Sequence, residues 1–414
     1  MALLTRLCST LLTLYRKIMH RFETPSNNAP VVKRDYPRVL FVLKYRDGYS
    51  PYSYSESSGS GDSTGSGDWG DGGPKRPLSS GLFNSARMVV EMLEQNRVPV
   101  KLVHVIDNNF IHREIVAFKP DIVVIEAFWV VPDKFDELRR VCPNVTFIIR
   151  NHSEVPFLAQ EGIAFDWMLR YIKKPNVIMS ANSQRMNRET RELALVANPD
   201  MDILEVTRKT PYLPNYYQMP QALMGDGGCI DPDSDTIDIG CFGAVRPLKN
   251  QLLQAIAAIE FANHLGKKLR FHINGKRIEM NGGQVIKNLV SLFSHYPQYE
   301  LVNHAWMQHS EFKELIASMD IVMQVSFSET FNIVAADAIS NGVVTITSPE
   351  IRWSSPQLQA DPTSSESIFD TLVKAWLRKV ENPDWNPNLA GLVHYNSKSV
   401  EVWLDYLTNF RKSK

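Results

Sequence analysis

Cysteine is scarce in this chain, which has four in 414 residues: Cys8, Cys142, Cys229 and Cys241. None of them forms a CxxC pair, so the sequence contains neither a typical zinc-binding pattern nor the framework of a disulfide-stabilised domain. Free cysteines persist in reducing compartments, and we therefore expect a cytoplasmic protein.

An excess of one charge is also missing, because 45 Lys and Arg residues balance 45 Asp and Glu residues. Such neutrality argues against strong non-specific binding of nucleic acid, although a local basic patch is compatible with it. The hydrophobic content of 44% is ordinary for a globular protein, and the length suggests two or three domains.

No apolar run reaches the roughly 20 residues of a membrane span. Residues 1–22 instead place apolar side chains at helical spacing among several basic residues, with no acidic residue before Glu23. This segment predicts an amphipathic helix that lies on an anionic membrane surface, or one that packs on its own domain or on a partner subunit. No A-x-A-like cleavage site follows it, which argues against a signal peptide.

Three common catalytic signatures are absent from the sequence: Walker A, H-E-x-x-H and G-x-S-x-G. The chain instead alternates short apolar strands with helices, a pattern that predicts parallel sheets covered by helices on both faces. The predicted strands are 38–43, 100–105, 121–125, 144–149, 176–180, 236–242, 269–273, 299–302, 320–326 and 343–346.

A break rich in Pro and Gly, at about 211–235, divides this alternation into two halves. The predicted fold class is therefore α/β, with two doubly wound Rossmann-like domains that face each other across a cleft. The predicted organisation is an N-terminal helix and linker at 1–35, a first domain at 36–220, a second domain at 221–395 and a C-terminal helix at 396–414 that can cross back to the first domain.

A low-complexity insert at 46–78 interrupts the first domain and is rich in Gly, Ser and Asp. It has too few apolar residues to fold alone. Either a mobile lid over an active site or a plain disordered insertion fits this composition.

The most informative stretch lies where a predicted strand gives way to a helix. Glu329 precedes this helix, Asp337 lies about two turns inside it, and Gly342 ends it. Backbone N–H groups at a helix start have no internal partner and attract phosphate. An acid near a sugar, free amides near a phosphate and an acid near a ribose suit a nucleotide-sugar. The alternative is a buried helix start whose acids only favour the helix dipole.

The second half resembles the donor domain of GT-B fold glycosyltransferases, and its acidic motif is similar to that of family four of the retaining enzymes. The family pattern E-x-F-G-x-x-x-x-E runs here from Glu329 to Asp337, with Asn332 in place of Gly and Asp337 in place of the second Glu. The resemblance implies that Glu329 contacts the donor sugar and Asp337 the ribose hydroxyls. It also implies that the amides of Phe331, Asn332 and Ile333 meet the diphosphate.

A second part of the resemblance begins at Gly243, where the family has a Gly-Arg pair followed by a Lys. Lys249 matches that Lys, Ala244 stands at the Arg position, and Arg246 is the nearby substitute. Two such cations would stabilise the charge that the diphosphate gains as the glycosidic bond breaks. The alternative is a pair of solvated loop cations.

Further positions follow from the resemblance. His152, after strand 144–149, is expected to reach the donor sugar from the first domain, and Gly81 replaces a Gly-rich turn near the diphosphate. Asn274 is expected to contact the donor and Trp306 to stack on the nucleobase. The alternatives are a structural loop histidine and a core tryptophan. Residues 212–215 resemble the family's hydrophobic-Pro-Asn sequence at the hinge.

A metal-binding D-x-D motif is missing from the position where metal-dependent transferases carry it. The sequence 231–233 is a weak match in the linker. We therefore expect no cofactor and no divalent metal, with a UDP-sugar as co-substrate.

Together with the resemblance, these patterns predict a glycosyltransferase that moves a hexosyl or pentosyl group from a nucleotide-sugar, expected to be UDP-linked, to a hydroxyl acceptor. The resemblance implies that the enzyme is retaining, so that the anomeric configuration is kept. The acceptor would be a glycan, a lipid-linked glycan or, as an alternative, a modified base in DNA. Peripheral membrane contact through residues 1–22 would fit a lipid-linked acceptor. A catalytically silent nucleotide-sugar-binding or scaffold protein and a GT-B sugar-phosphate epimerase are further alternatives.

Overall fold

The first half of the chain builds a five-stranded parallel sheet from buried apolar segments. The computed structural model describes residues 36–44, 80–220 and 230–412. Within them the strand order of this sheet is β2-β1-β3-β4-β5. Its strands are β1 (Val39–Lys44), β2 (Val100–Val105), β3 (Ile122–Glu126), β4 (Thr146–Asn151) and β5 (Val177–Ala181). The central strands are apolar throughout most of their length because helices cover both faces.

The second half of the described chain repeats this architecture in the order β8-β7-β6-β9-β10. Its strands are β6 (Thr236–Gly240), β7 (Lys268–Ile273), β8 (Glu300–Asn303), β9 (Ile321–Gln324) and β10 (Val344–Thr347). The prediction of two doubly wound sheets is confirmed. The predicted strands 236–242 and 320–326 extend too far, because the chain leaves the sheet earlier. Val325 N, for example, donates to Gln254 Oε1 at 2.8 Å instead of to a strand.

Helices connect the strands and cover the sheets. In the first half they are α1 (Gly81–Gln95), α2 (Ile111–Phe118), α3 (Lys134–Val141), α4 (Val155–Leu158), α5 (Ala164–Lys173), α6 (Gln184–Ala197) and α7 (Ile203–Lys209). In the second half they are α8 (Gln251–Leu265), α9 (Gly282–Ser294), α10 (His309–Ala317), α11 (Ile333–Ser340), α12 (Ser365–Glu381) and α13 (Pro387–Lys412).

The strand order of the second sheet determines where a ligand can bind. The chain starts at the central β6, moves out through β7 and β8, and then returns to β9 on the other side of β6. The loops that follow β6 and β9 therefore diverge from neighbouring strands and leave a crevice at their carboxyl ends. Both segments that the sequence singled out, one after Gly240 and one before Ile333, lie at this switch point.

The long helix α13 joins the two halves. Its Trp403 is fully buried, packs against Phe41 of β1 at a ring distance of 5.8 Å, and donates from Nε1 to Pro214 O at 2.9 Å. Leu407 belongs to the same apolar cluster. The described chain from Tyr36 onward consequently forms one compact unit.

Several expectations lie outside the described residues. These are the amphipathic helix at 1–22, nearly all of the linker to the first strand, the insert at 46–78, Cys8 and Cys229. No helix in the described ranges is both long enough and apolar enough to cross a bilayer.

The carboxyl group of Asp320, just before β9, makes stability depend on pH. Burial, together with the nearby Asp238 carboxylate, raises the pKa of Asp320 from an ordinary value of 3.8 to about 6. Folding therefore favours the protonated acid, and its contribution to stability is lost as pH rises through 6. Asp320→Asn keeps an acceptor for Asp238 N. We expect this variant to melt about 2 °C or more above the parent at pH 8.

This gain should shrink as the pH falls from 6 towards 4, which differential scanning calorimetry can follow. Asp384→Asn, at an exposed position, is the matched control and should show no such trend. An Asp320→Asn variant that is less stable than the parent at every pH would contradict the assignment.

Candidate functional site

Lys249 and Glu329 meet at the switch point of the second sheet. Lys249 ends a single helical turn, Pro247–Lys249, that follows β6, and Glu329 lies in the loop between β9 and α11. Their side chains are 11% and 8% exposed, and Lys249 Nζ lies 2.5 Å from Glu329 Oε1. Two residues from separate loops thus form one ion pair at the edge where a doubly wound sheet binds ligands.

Gly243 lies beside this pair in the left-handed region, with φ of +109°. A Cβ atom at this position would be 3.7 Å from Lys249 Cε, so a larger side chain would crowd the lysine. Gly243 N donates to Oδ1 of the buried Asn274 at 2.9 Å. Asn274 therefore holds the loop that carries Lys249, and its predicted contact with the nucleotide-sugar stays a prediction.

Asn332 stands at the glycine position of the motif and adopts a backbone conformation that glycine favours. Its φ is +63°, in the region that glycine adopts freely and asparagine tolerates. Its Oδ1 accepts from Ala335 N at 3.0 Å and caps α11, while its Nδ2 donates to Gln324 Oε1 at 2.9 Å. The amides of Ile333 and Val334 have no acceptor among the described residues, as expected for the first turn of a helix.

The start of α1, in the first half, faces the start of α11. A Cβ atom on Gly81 would lie 3.8 Å from Ile333 Cγ2. Ser80 caps α1 by accepting from Phe83 N at 3.1 Å, and neither helix has an acidic residue in its first turn. The positive ends of two helix dipoles therefore meet between the halves, an arrangement that attracts anions.

Arg246 does not join the Lys249–Glu329 pair directly. Its Nη1 lies 3.1 Å from Glu279 Oε2, and its guanidinium stacks 4.7 Å above the ring of Phe157 from the first half. Arg277 binds the same carboxylate at 2.8 Å. Burial alone would raise the pKa of Glu279, but the charges of Arg277 and Arg246 outweigh burial and lower it. Two arginines thus share one ionised carboxylate beside the crevice.

His152, at the end of β4, uses both ring nitrogens within the first half. Nε2 bonds to Glu126 Oε2, and Nδ1 faces Asn182 Nδ2 at 3.3 Å. Burial and the charge of Arg150 lower the pKa of His152, although Glu126 acts in the opposite direction. We infer a neutral ring that donates to Glu126 and accepts from Asn182. The backbone oxygen of His152, by contrast, accepts from Thr330 Oγ1 at 3.1 Å.

Polar contacts between the halves surround the ion pair. Thr330 follows Glu329 directly, and its Oγ1 also accepts from Asn182 Nδ2 at 3.1 Å. Further out, Arg185 of α6 lies 2.5 Å from Glu350 of the loop after β10. Hydrogen bonds to Glu350 raise the pKa of Arg185 above its usual value, although burial opposes them. The loop that bears Glu329 is therefore held from both domains.

Asp337 lies on the second turn of α11, as predicted, but its carboxylate is 1% exposed. Oδ1 accepts from Tyr217 Oη and from His309 Nε2, each at 2.8 Å. Tyr217 also contacts Ser340 Oγ at 2.9 Å. Asp337 and Glu329 thus have separate partners, and the predicted ribose contact by Asp337 stays a prediction.

The two aromatic residues named from the sequence have different surroundings. Phe331 is buried in the apolar cluster around Trp353, whose Nε1 donates to Phe331 O at 2.7 Å. Trp306 is partly exposed, and the guanidinium of Arg277 lies 4.1 Å from its ring centre. The alternative of a fully buried core position for Trp306 is not supported, because the ring is partly exposed and the guanidinium of Arg277 covers one of its faces. Stacking of Trp306 on a nucleobase stays a prediction.

Sequence reasoning missed several residues that shape this site. They are Glu126, Arg150, Asn182, Tyr217, Glu279, His309 and Thr330. Thr330 was visible inside the acidic motif, and its hydroxyl could have indicated a polar contact. Arg150, Tyr217, Glu279 and His309 lie within two to five residues of positions that the sequence singled out, but no sequence pattern indicated which groups they would contact. Only the folded backbone brings these residues, together with Glu126 and Asn182, to their partners.

Comparisons with known proteins identify the fold of this chain. No family model and no curated protein matches the sequence. The catalytic domain of starch synthase IV from Arabidopsis thaliana matches with a TM-score of 0.60 at 9% identity, over 90% of this chain and 99% of that one. Sucrose-phosphate synthase from Thermosynechococcus elongatus matches with a TM-score of 0.57 at 12% identity, over 91% and 99%.

A UDP-forming α,α-trehalose-phosphate synthase from Burkholderia xenovorans also matches, with a TM-score of 0.56 at 10% identity, over 73% of this chain and 78% of that one. Identities this low establish the fold alone. Together with the two doubly wound sheets, these matches confirm the predicted GT-B fold. Membership of family four stays a prediction.

The backbone of Asn332 gives a direct test of the acidic loop. Asn332→Gly and Asn332→Ala both lose the two hydrogen bonds of the amide, but only Ala must adopt a positive φ with a Cβ atom. We therefore expect the Ala variant to be about 1–2 kcal/mol less stable than the Gly variant. Urea denaturation with an unchanged m-value measures this difference. Equal stability of the two variants would exclude a left-handed Asn332.

Proposed function

We propose that this protein is a glycosyltransferase that moves a sugar from a nucleoside-diphosphate donor to a hydroxyl group of an acceptor. The observation that carries the proposal is the ion pair of Lys249 and Glu329 at the switch point, next to Gly243 and the unpartnered amides of Ile333 and Val334 at the start of α11. An ammonium group and free helix amides are the groups that hold a diphosphate. The start of α1 adds a second positive helix end from the first half.

The similar structures support this chemistry without establishing it here. One is described as UDP-forming, another (TM-score 0.53) is described as trehalose-6-phosphate from E. coli bound with UDP-2-fluoro glucose, and the starch synthase is bound to ADP and acarbose. We propose UDP as the nucleotide of the donor. For the acceptor we propose a sugar hydroxyl, since the described residues give no specific reason to favour a DNA base, a silent binding role or epimerisation.

The reaction we propose breaks one bond and forms one. The acceptor oxygen bonds to the anomeric carbon on the face from which the diphosphate oxygen departs, so configuration is retained. The acceptor's proton moves to the departing phosphate oxygen, and the electron pair of the broken bond stays with the diphosphate. Lys249 and the amides of α11 stabilise the resulting negative charge. No enzyme nucleophile is needed for this route.

Glu329 has a different task from Lys249. In the structure it is the counter-ion of Lys249 and fixes where the ammonium lies. With a donor bound, we propose that its carboxylate accepts hydrogen bonds from the sugar hydroxyls while Lys249 turns to the diphosphate. The pair therefore places the sugar and the leaving group relative to each other. Arg246, which pairs with Glu279, stays a candidate for stabilising the charge of the diphosphate from a longer distance.

Removal of the ammonium group tests the proposal. We expect Lys249→Ala to lower the transfer rate by about 10²–10³-fold, because it deletes a preorganised charge at the leaving group. Glu329→Gln should lower it as well, through loss of sugar orientation. Release of UDP from a UDP-sugar, with and without an acceptor panel, gives the measurement.

Lys287→Ala, at an exposed position on α9, is the matched control and should behave as the parent. Thermal melting of each variant separates loss of activity from loss of fold. If both Lys249→Ala and Glu329→Gln turned over at the parental rate, the site would be misassigned.

Metal independence is a separate part of the proposal. Since Lys249 and helix amides are assigned to the diphosphate, we expect the transfer rate to change less than about twofold after dialysis against EDTA. Added Mg²⁺ or Mn²⁺ should likewise have little effect. A rate that collapses with EDTA and returns with a divalent cation would show that the protein side chains do not carry this charge alone.

A further inference from the structure

The second acid of the motif is almost fully buried in the observed arrangement. Asp337 is 1% exposed, and both donors that reach its Oδ1 atom come from the protein: Tyr217 Oη and His309 Nε2. So little of this side chain is exposed that a ligand hydroxyl could reach it only by displacing the residues that cover it. A more exposed neighbour of Asp337 is therefore better placed to meet a ligand than Asp337 itself.

His309 occupies the position from which that role can be performed. It is the first residue of α10 and follows the loop 304–308 after β8, at the carboxyl edge of the second sheet. Its side chain is 15% exposed, whereas the Asp337 side chain behind it is closed to solvent. Because Nε2 faces a carboxylate oxygen, Nε2 is the donor of this hydrogen bond, and Nδ1 has no partner among the described residues.

We propose that His309 binds a ribose hydroxyl of the donor nucleotide through Nδ1, and that Asp337 and Tyr217 are positioning residues behind it. The inference rests on the proposed function, since it names the nucleoside contact of the same site. Asp337 fixes the tautomer and the ring plane, as carboxylates behind histidines do in other sites. The side chain of Asp is one methylene shorter than that of Glu, and here an imidazole spans the remaining distance.

The ratio of two binding constants tests the contact. Isothermal titration calorimetry with UDP and with 2′,3′-dideoxy-UDP measures how much the ribose hydroxyls contribute. For the parent we expect UDP to bind roughly tenfold more tightly, the effect of one good hydrogen bond. In His309→Ala this preference should fall to about one, while dideoxy-UDP binds almost unchanged. A purely structural role of His309 would weaken both nucleotides alike.

Two further variants separate His309 from Asp337. His309→Asn places an amide oxygen near the position of Nδ1 and should recover part of the preference for UDP. Asp337→Asn should reduce the preference when His309 is present and change nothing more in the His309→Ala background, because it acts through the imidazole. A preference that survives in His309→Ala and disappears only with Asp337→Asn would overturn the inference and return the ribose to Asp337.

The outcomes distinguish this inference from the proposed function. A parent protein that binds neither UDP nor ADP contradicts both. A parent that binds UDP and prefers it over dideoxy-UDP, together with a His309→Ala variant of the same preference, contradicts only the role of His309. Equal binding of the two nucleotides by the parent also rejects the ribose contact. Thermal melting of every variant confirms that the comparison is made on folded protein.

Discussion

The buried guanidinium of Arg150 is the interaction on which the rest of the site depends. It is fully buried, and its Nη1 lies 3.0 Å from Glu126 Oε2. Its other donors reach Leu213 O at 3.1 Å, Pro214 O at 2.9 Å and Asn215 Oδ1 at 2.5 Å. Burial alone would raise the pKa of Glu126, but Arg150 keeps it below its usual value. Deleting one partner of such a pair typically destabilises a protein by about 3–5 kcal/mol, because a charge is left uncompensated.

This one pair connects the hinge to the crevice. The carboxylate of Glu126 also accepts a hydrogen bond from His152 Nε2. The backbone oxygen of His152 accepts one from Thr330 Oγ1, and Thr330 is the residue that follows Glu329. A continuous set of contacts therefore runs from the segment between the halves to the acidic loop of the second half. The site is built from loops, but buried charges that satisfy one another hold those loops, so its geometry is preorganised where a diphosphate would bind.

The departures from the family pattern have physical explanations. Asn332 replaces Gly because it is one of the few side-chain-bearing residues that tolerate positive φ, and it adds a cap to α11. The side chain of Asp337 is buried, and the more exposed His309 lies against it. Ala244 has no cation to offer, and Arg246 lies with Glu279 instead of with Lys249. The acidic loop was thus predictable as a local pattern, whereas the partners of each side chain were not.

The sequence by itself determined the two doubly wound sheets, the helix that begins after Asn332 and the residues at its start, because alternating apolar segments, helix caps and glycines act over a few residues. Only the tertiary structure decided which side chains would pair. Lys249 contacts Glu329, which is 80 residues away in the chain, while the ring of His152 bonds to Glu126 and that of His309 bonds to Asp337. Such pairings depend on which strands lie side by side and on which polar groups burial forces to find a partner.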